Sequence, residues 1–273
     1  MLRSSNPILS KQDAFTPAAR QYGDAYGQSP YGYNQVPAPG YAPTQAPEGR
    51  MTFDDVVTKT AITMAVLVLT AAVAWFTVAQ VPALMLPALI LSGLVGFVVV
   101  MIVSFRRKVS PGLVLLYAAI EGVFIGMISR FFEGFYDGIV AQAILATFVA
   151  AGVTLGAYKF FNIRVTPKFQ KVVIIATIAF AVAMLLNFVL SLAGINLGLV
   201  GGVTGQVSLL AVGVALLGAV LAVLNLVLDF DYIEKGVAMG APASESWRGA
   251  FGLTVTMVWL YIEILRLLSY LRR

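Results

Sequence analysis

The residues best placed to do chemistry in this chain are a few carboxylates set inside long apolar runs. Glu121 lies in AAIEGVFIGMIS and Glu263 in VWLYIEILRLLSYLRR, while Asp229 and Asp231 close another run in NLVLDFDYIE. A charged side chain at mid-bilayer costs about 2.5–3.5 kcal/mol on insertion scales, so such groups face a bundle interior and find partners. The partners on offer are Arg106 and Arg107, at the end of one run, and Arg266, three residues after Glu263. Carboxylates crowded together away from water favour the protonated form. Protonated, one can donate a hydrogen bond and hold helices together; ionised, it repels its neighbour and can admit a cation. The chemistry offered is a proton relay or a pH-gated cation site.

Each residue also has a plainer role. Glu263 and Arg266 stand at i, i+3 and can pair within one helix. Asp229 and Asp231 sit at a run's edge, where loop solvent can reach them, and being two apart they point to different sides. Arg106 and Arg107 answer equally to the bias of basic residues toward cytoplasmic loops. Glu121 has no basic residue within a turn of it.

The elements that must position these groups follow from composition. The 273 residues are 59% hydrophobic and 11% charged, against roughly 25% charged in soluble domains, and the mean hydropathy is +0.88. Lipid is the solvent that accepts such a surface. The formal charge of +5 does not point to nucleic acid, because the basic residues lie in short loops between apolar runs. There is no cysteine and no histidine, which removes disulfides, thiolate nucleophiles and imidazole-dependent catalysis. Any response to pH near neutrality then falls to carboxylates.

Seven runs are long enough to span a bilayer, near 58–79, 83–105, 113–131, 138–159, 172–193, 206–228 and 250–271. The expected fold is all-α: a polytopic bundle of seven transmembrane helices over 51–273, behind a tail at 1–50. Seven of the twelve prolines and five of the eleven tyrosines fall in that tail, which reads as disordered. It serves either as a solvated arm or as a docking segment for a protein partner. No basic region followed by an apolar stretch opens the chain, so no cleaved signal peptide is expected.

Arg106, Arg107 and Lys108 follow the second run; Lys159, Arg164, Lys168 and Lys171 follow the fourth. Alternate loops are basic, which places the tail and the even-numbered loops in the cytosol of a multi-pass plasma-membrane protein. Arg272 and Arg273 at the chain's end go against this pattern. Gly122/Gly126, Gly152/Gly156 and Gly201/Gly205 are Gly-xxx-Gly pairs suited to close helix packing, and Asn187 and Asn225 are suited to interhelical hydrogen bonds. No metalloprotease, P-loop or dinucleotide motif is present, and a non-enzyme is expected.

The segments EGVFIGMISRFFE, IRVTPKF, LDFDYIE and WLYIEILRLLSYLR, in this order, resemble the Bax inhibitor family, most closely its bacterial, actinobacterial-type branch. The resemblance covers about residues 51–273. It implies a seven-helix bundle with the last helix near the centre, acting as a pH-sensitive calcium leak. In such proteins an aspartate ending helix 6 faces an acid in helix 7, and an arginine of helix 2 interacts with both. Asp229, with Asp231 as the alternative, takes the first place, Glu263 the second, and Arg106 or Arg107 the third. Glu121 falls where the family often has an acid followed by glycine. Ca2+ is the implied ion, permeant or held at Asp229 and Glu263; no other cofactor is implied. This chain departs in having glutamate in helix 7 and a longer gap from Asp229 to Glu263. A seventh span starting at 250 puts Glu263 about 20 Å beneath the tail-side face, so contact with Asp229 requires a later start or a deeper sixth span.

Overall fold

The computed structural model describes residues 49–272, apart from 107, 162, 196 and 202–206. The tail reading for 1–50 therefore lies outside the described residues, save its last two positions. Seven long helices follow in order: α1 (Phe53–Gln80), α2 (Met85–Phe105), α3 (Pro111–Glu133), α4 (Ile139–Phe160), α5 (Pro167–Leu192), α6 (Leu209–Ala238) and α7 (Glu245–Leu271). All seven are long and apolar enough to cross a membrane. The face where α1 begins and α6 ends is called the near face here, and the opposite one the far face.

The helix ends have local causes. Thr52 caps α1 by accepting from the Asp55 amide, with Asp54 and Asp55 in the first turn to complement the helix dipole. Thr166 caps α5 in the same way, and Pro167 occupies its first turn, where a missing N–H costs nothing. Between α3 and α4, Gly138 adopts φ 75°, a conformation that strains other residues. Glu133 closes this turn: its carboxylate accepts from the amides of Gly138 at 2.6 Å and Val140 at 3.0 Å. Removing it leaves two amide donors at the start of α4 without their acceptor, so Glu133→Ala should cost about 0.5–2 kcal/mol, read as a lowered melting temperature of the purified protein, with Glu133→Gln closer to the parent.

The centre of the bundle is α7. It packs against α1, α3, α4 and α6. In their most apolar stretches α3 and α7 bury 44% of residues and α6 39%, against 17–22% for α1, α2, α4 and α5. The peripheral helices turn side chains such as Leu69, Leu91, Leu145 and Ile175 outward, as lipid requires. The α1–α3 pair is held by glycine: a Cβ on Gly122 would overlap the Leu67 carbonyl and the Thr70 hydroxyl, and one on Gly126 the Ala71 carbonyl. Gly152 and Gly156 do not pack this way. Nothing lies within 4 Å of a Cβ on Gly152, and Gly156 meets only Phe160, at 4.0 Å. Gly201 is in a loop, and Gly205 lies outside the described residues.

Where the chain enters the bundle it is clamped. The Met51 amide donates to the Ala241 carbonyl at 2.7 Å, and the Ala243 amide donates to the Gly49 carbonyl at 2.7 Å. Met51 is 2% exposed, seated where a Cβ on Gly236 would come within 2.9 Å of its sulfur. Residues 49–51 are thus joined to the loop between α6 and α7.

Candidate functional site

α7 presents one stripe to α6. Gly252, Thr256, Trp259 and Glu263 recur at helical spacing, with Arg266 one turn further on. Opposite them on the antiparallel α6 stand Asp229 and Gly218. Asp229 accepts a hydrogen bond from the Thr256 hydroxyl at 2.7 Å, and a Cβ on Gly252 would lie 3.3 Å from its Oδ1. Glu263, 2% exposed, accepts from Trp259 Nε1 at 3.2 Å. It fills the space that Gly218 leaves open: a Cβ there would come within 2.7 Å of the carboxylate and 2.8 Å of the Phe180 ring from α5. Each carboxylate thus stands beside a glycine of the facing helix.

The two carboxylates do not meet. Glu263 lies level with Gly218, and Asp229 is eleven residues further along α6, about 16 Å at 1.5 Å per residue. The expected joint site for Ca2+ at Asp229 and Glu263 is therefore not formed. α6 does run deeper, to Ala238, and sets Asp229 nine residues in from its end, but α7 starts at Glu245 rather than at 250 and sets Glu263 eighteen residues in, deeper still. Among the described residues, no group of three or more acids stands together as a metal cage.

Glu263 pairs instead with Arg266, Nη1 to Oε2 at 3.3 Å. Both atoms lack hydrogen-bond geometry, so the contact is electrostatic. Asp231 turns away from the seam and holds Lys235 at 2.6 Å; Asp229 is the aspartate that faces α7. Glu121 looks toward α2, 3.1 Å from a Cβ on Gly96. Arg106 does not serve as the acids' partner. It ends α2 on the near face, forms no ion pair among the described residues, and gives its carbonyl to Arg248. Arg107 lies outside the described residues.

Sequence reasoning had not singled out Thr256, Trp259, Gly218 or Gly252. The signal for three of them was the spacing 252, 256, 259, 263 within an apolar helix, a polar and small-residue face that a search for charges alone passes over. Asn225 does bridge helices, donating to Thr177 of α5 at 2.8 Å, whereas Asn187 Oδ1 has no partner.

A helical bundle whose outer helices are apolar all round, with its polar groups on inner seams, is an integral, multi-pass membrane protein. The chain matches the Bax inhibitor 1 like family over residues 6–273 and belongs to that family. No curated protein matches it.

Proposed function

We propose that the protein is a cation leak, for Ca2+ foremost, that conducts along the α6–α7 seam and is gated by protonation of its carboxylates. The observation that carries this reading is the stripe itself: Asp229 and Glu263 stand on one seam, about 16 Å apart, each beside a glycine. Ca2+ takes six to eight oxygens when held tightly. Asp229 with the Thr256 hydroxyl offers too few for that, and weak successive stations are what conduction needs. Family membership supports the same reading. The near face carries Lys108, Lys159, Arg164, Lys168 and Lys171, which supports a cytosolic near face in the plasma membrane. A non-catalytic role belongs to the same proposal.

Protein reconstituted in liposomes should pass Ca2+ at a rate that changes with pH. Asp229→Asn and Glu263→Gln should each lower the flux several-fold and flatten that dependence. Unchanged flux in the double variant would remove both residues from the path.

A second reading has its own observation. Residues 49–51 pair with the α6–α7 loop, so whatever engages the preceding tail bears on the two helices that hold the seam. A regulatory protein that acts on a membrane protease or a stress-response partner through its tail fits this arrangement. Deleting residues 1–48 should then abolish the cellular phenotype and leave flux intact; a fully active truncation would count against it.

A further inference from the structure

α1 and α4 both pack against α7 but make no extensive contact with each other. Between them lies a cleft of about 560 Å3, floored by α3 and α7. Burial is graded across it. At the mouth, Val68 and Phe76 of α1 and Ile144 and Phe148 of α4 are 45–69% exposed. On the floor, Ile125 of α3 and Val258 and Tyr261 of α7 are at most 8% exposed. The cleft therefore opens sideways, between two helices whose outer surfaces meet lipid. Its α1 wall runs from Met64 to Trp75, eleven residues, about 16 Å. That is half of the roughly 30 Å of hydrocarbon in a bilayer. The half is the one toward the far face, since Trp75 is five residues from the end of α1 and Ser129, on the α3 wall, four from the end of α3.

The lining suits an apolar occupant. Its hydroxyls are already partnered: Ser129 and Tyr261 hydrogen-bond to each other at 2.6 Å, and Thr147 donates to the Ala143 carbonyl of its own helix at 2.7 Å. None of them calls for water, and a wall of this kind stays dry. The far end is different. There Arg130, next to Ser129, lies over the Trp75 ring at 5.3 Å. Arg130 forms no ion pair among the described residues. Glu133, one turn on, is occupied by the amides at the start of α4. A guanidinium without a counter-charge, three residues from the end of its helix, stands where the hydrocarbon gives way to headgroups. Its planar fork of donors matches a phosphate.

We propose that this cleft is a phospholipid site: it takes one acyl chain of a lipid from the far leaflet, and Arg130 holds that lipid's phosphate. The site does not rest on ion conduction, and its test does not use flux. The full chain, delipidated in mild detergent and titrated with phosphatidylglycerol, should bind it one to one by native mass spectrometry. Diacylglycerol with the same chains, lacking the phosphate, should bind about fivefold more weakly. Arg130→Gln should lower phosphatidylglycerol to the diacylglycerol level, and Arg130→Lys should recover most of the difference. Ala72→Trp, which fills the mouth from α1, and Ile144→Trp, which fills it from α4, should abolish the bound lipid. Val73→Trp, beside Ala72 but outside the lining and 66% exposed, should keep it. Added phosphatidylglycerol should also raise the melting temperature of the parent and leave that of the two mouth variants unmoved. One lipid still bound by either mouth variant would overturn the cleft as the site. Binding unchanged in Arg130→Gln would overturn the phosphate contact. Oleate bound in preference to phosphatidylglycerol would make the occupant a free fatty acid, and a lipid-free dimer would make it a second copy of the chain; either overturns the phospholipid. Several lipids bound alike by every variant would mean annular lipid only and overturn the proposal.

Discussion

Arg266→Leu should destabilise the protein by about 3–5 kcal/mol, the cost of stranding a buried charge. Glu263 is 2% exposed, and Trp259 Nε1 is the donor that reaches its carboxylate. Its remaining oxygen has the guanidinium at 3.3 Å and no hydrogen bond. Without Arg266, that oxygen faces a bundle interior with no counter-charge. The Glu263→Gln, Arg266→Gln double variant should recover most of the loss, because an uncharged pair carries far less desolvation penalty than a single unpaired charge. Thermal unfolding of the purified protein in mild detergent measures both. If the single variant is as stable as the parent, the pair contributes nothing to the fold.

The second large effect is expected where α1 crosses α3. A Cβ at Gly122 would overlap the Leu67 carbonyl, and one at Gly126 the Ala71 carbonyl. These are backbone atoms of a helix that cannot yield by changing a rotamer, so the two helices must part. Gly122→Val and Gly126→Val should each cost at least the roughly 1–3 kcal/mol of core overpacking, with a matching fall in melting temperature. Gly152→Val, in the same kind of pair but with open space around its Cβ, should change stability by no more than about 0.5 kcal/mol. Equal effects at all three positions would show that the close approach of α1 and α3 is not what these glycines provide.

The number of helices and the family were legible in the sequence because both rest on long apolar runs and short ordered motifs. Helix ends were less so. A hydropathy window closes where charges begin, yet α6 runs ten residues past 228, carrying Asp231 and Lys235 as an i, i+4 ion pair. α7 likewise begins at Glu245, a turn and more before its apolar stretch. Those few residues decide the site. Glu263 lies eighteen residues into α7, about 27 Å, while Asp229 is nine residues from the end of α6. The acids were identifiable as unusual residues, but whether they touch depends on where each helix starts. The i, i+3 spacing of Glu263 and Arg266 indicated the pairing that the fold adopts. Among the described glycines of the Gly-xxx-Gly pairs, only Gly122 and Gly126 pack against a facing backbone, and sequence has no means to tell which helix face lipid will cover.

The clamp at residues 49–51 has a consequence for the order in which the molecule is made. Its two halves touch in space but are far apart in sequence, with six helices between Met51 and Ala241. A chain that emerges from its N-terminus produces the first half at the outset and the second only after six helices exist. Contacts of such long sequence separation form late. The base of the tail is therefore unfastened throughout synthesis and is secured only when the α6–α7 loop arrives, so its fastening marks a nearly finished protein.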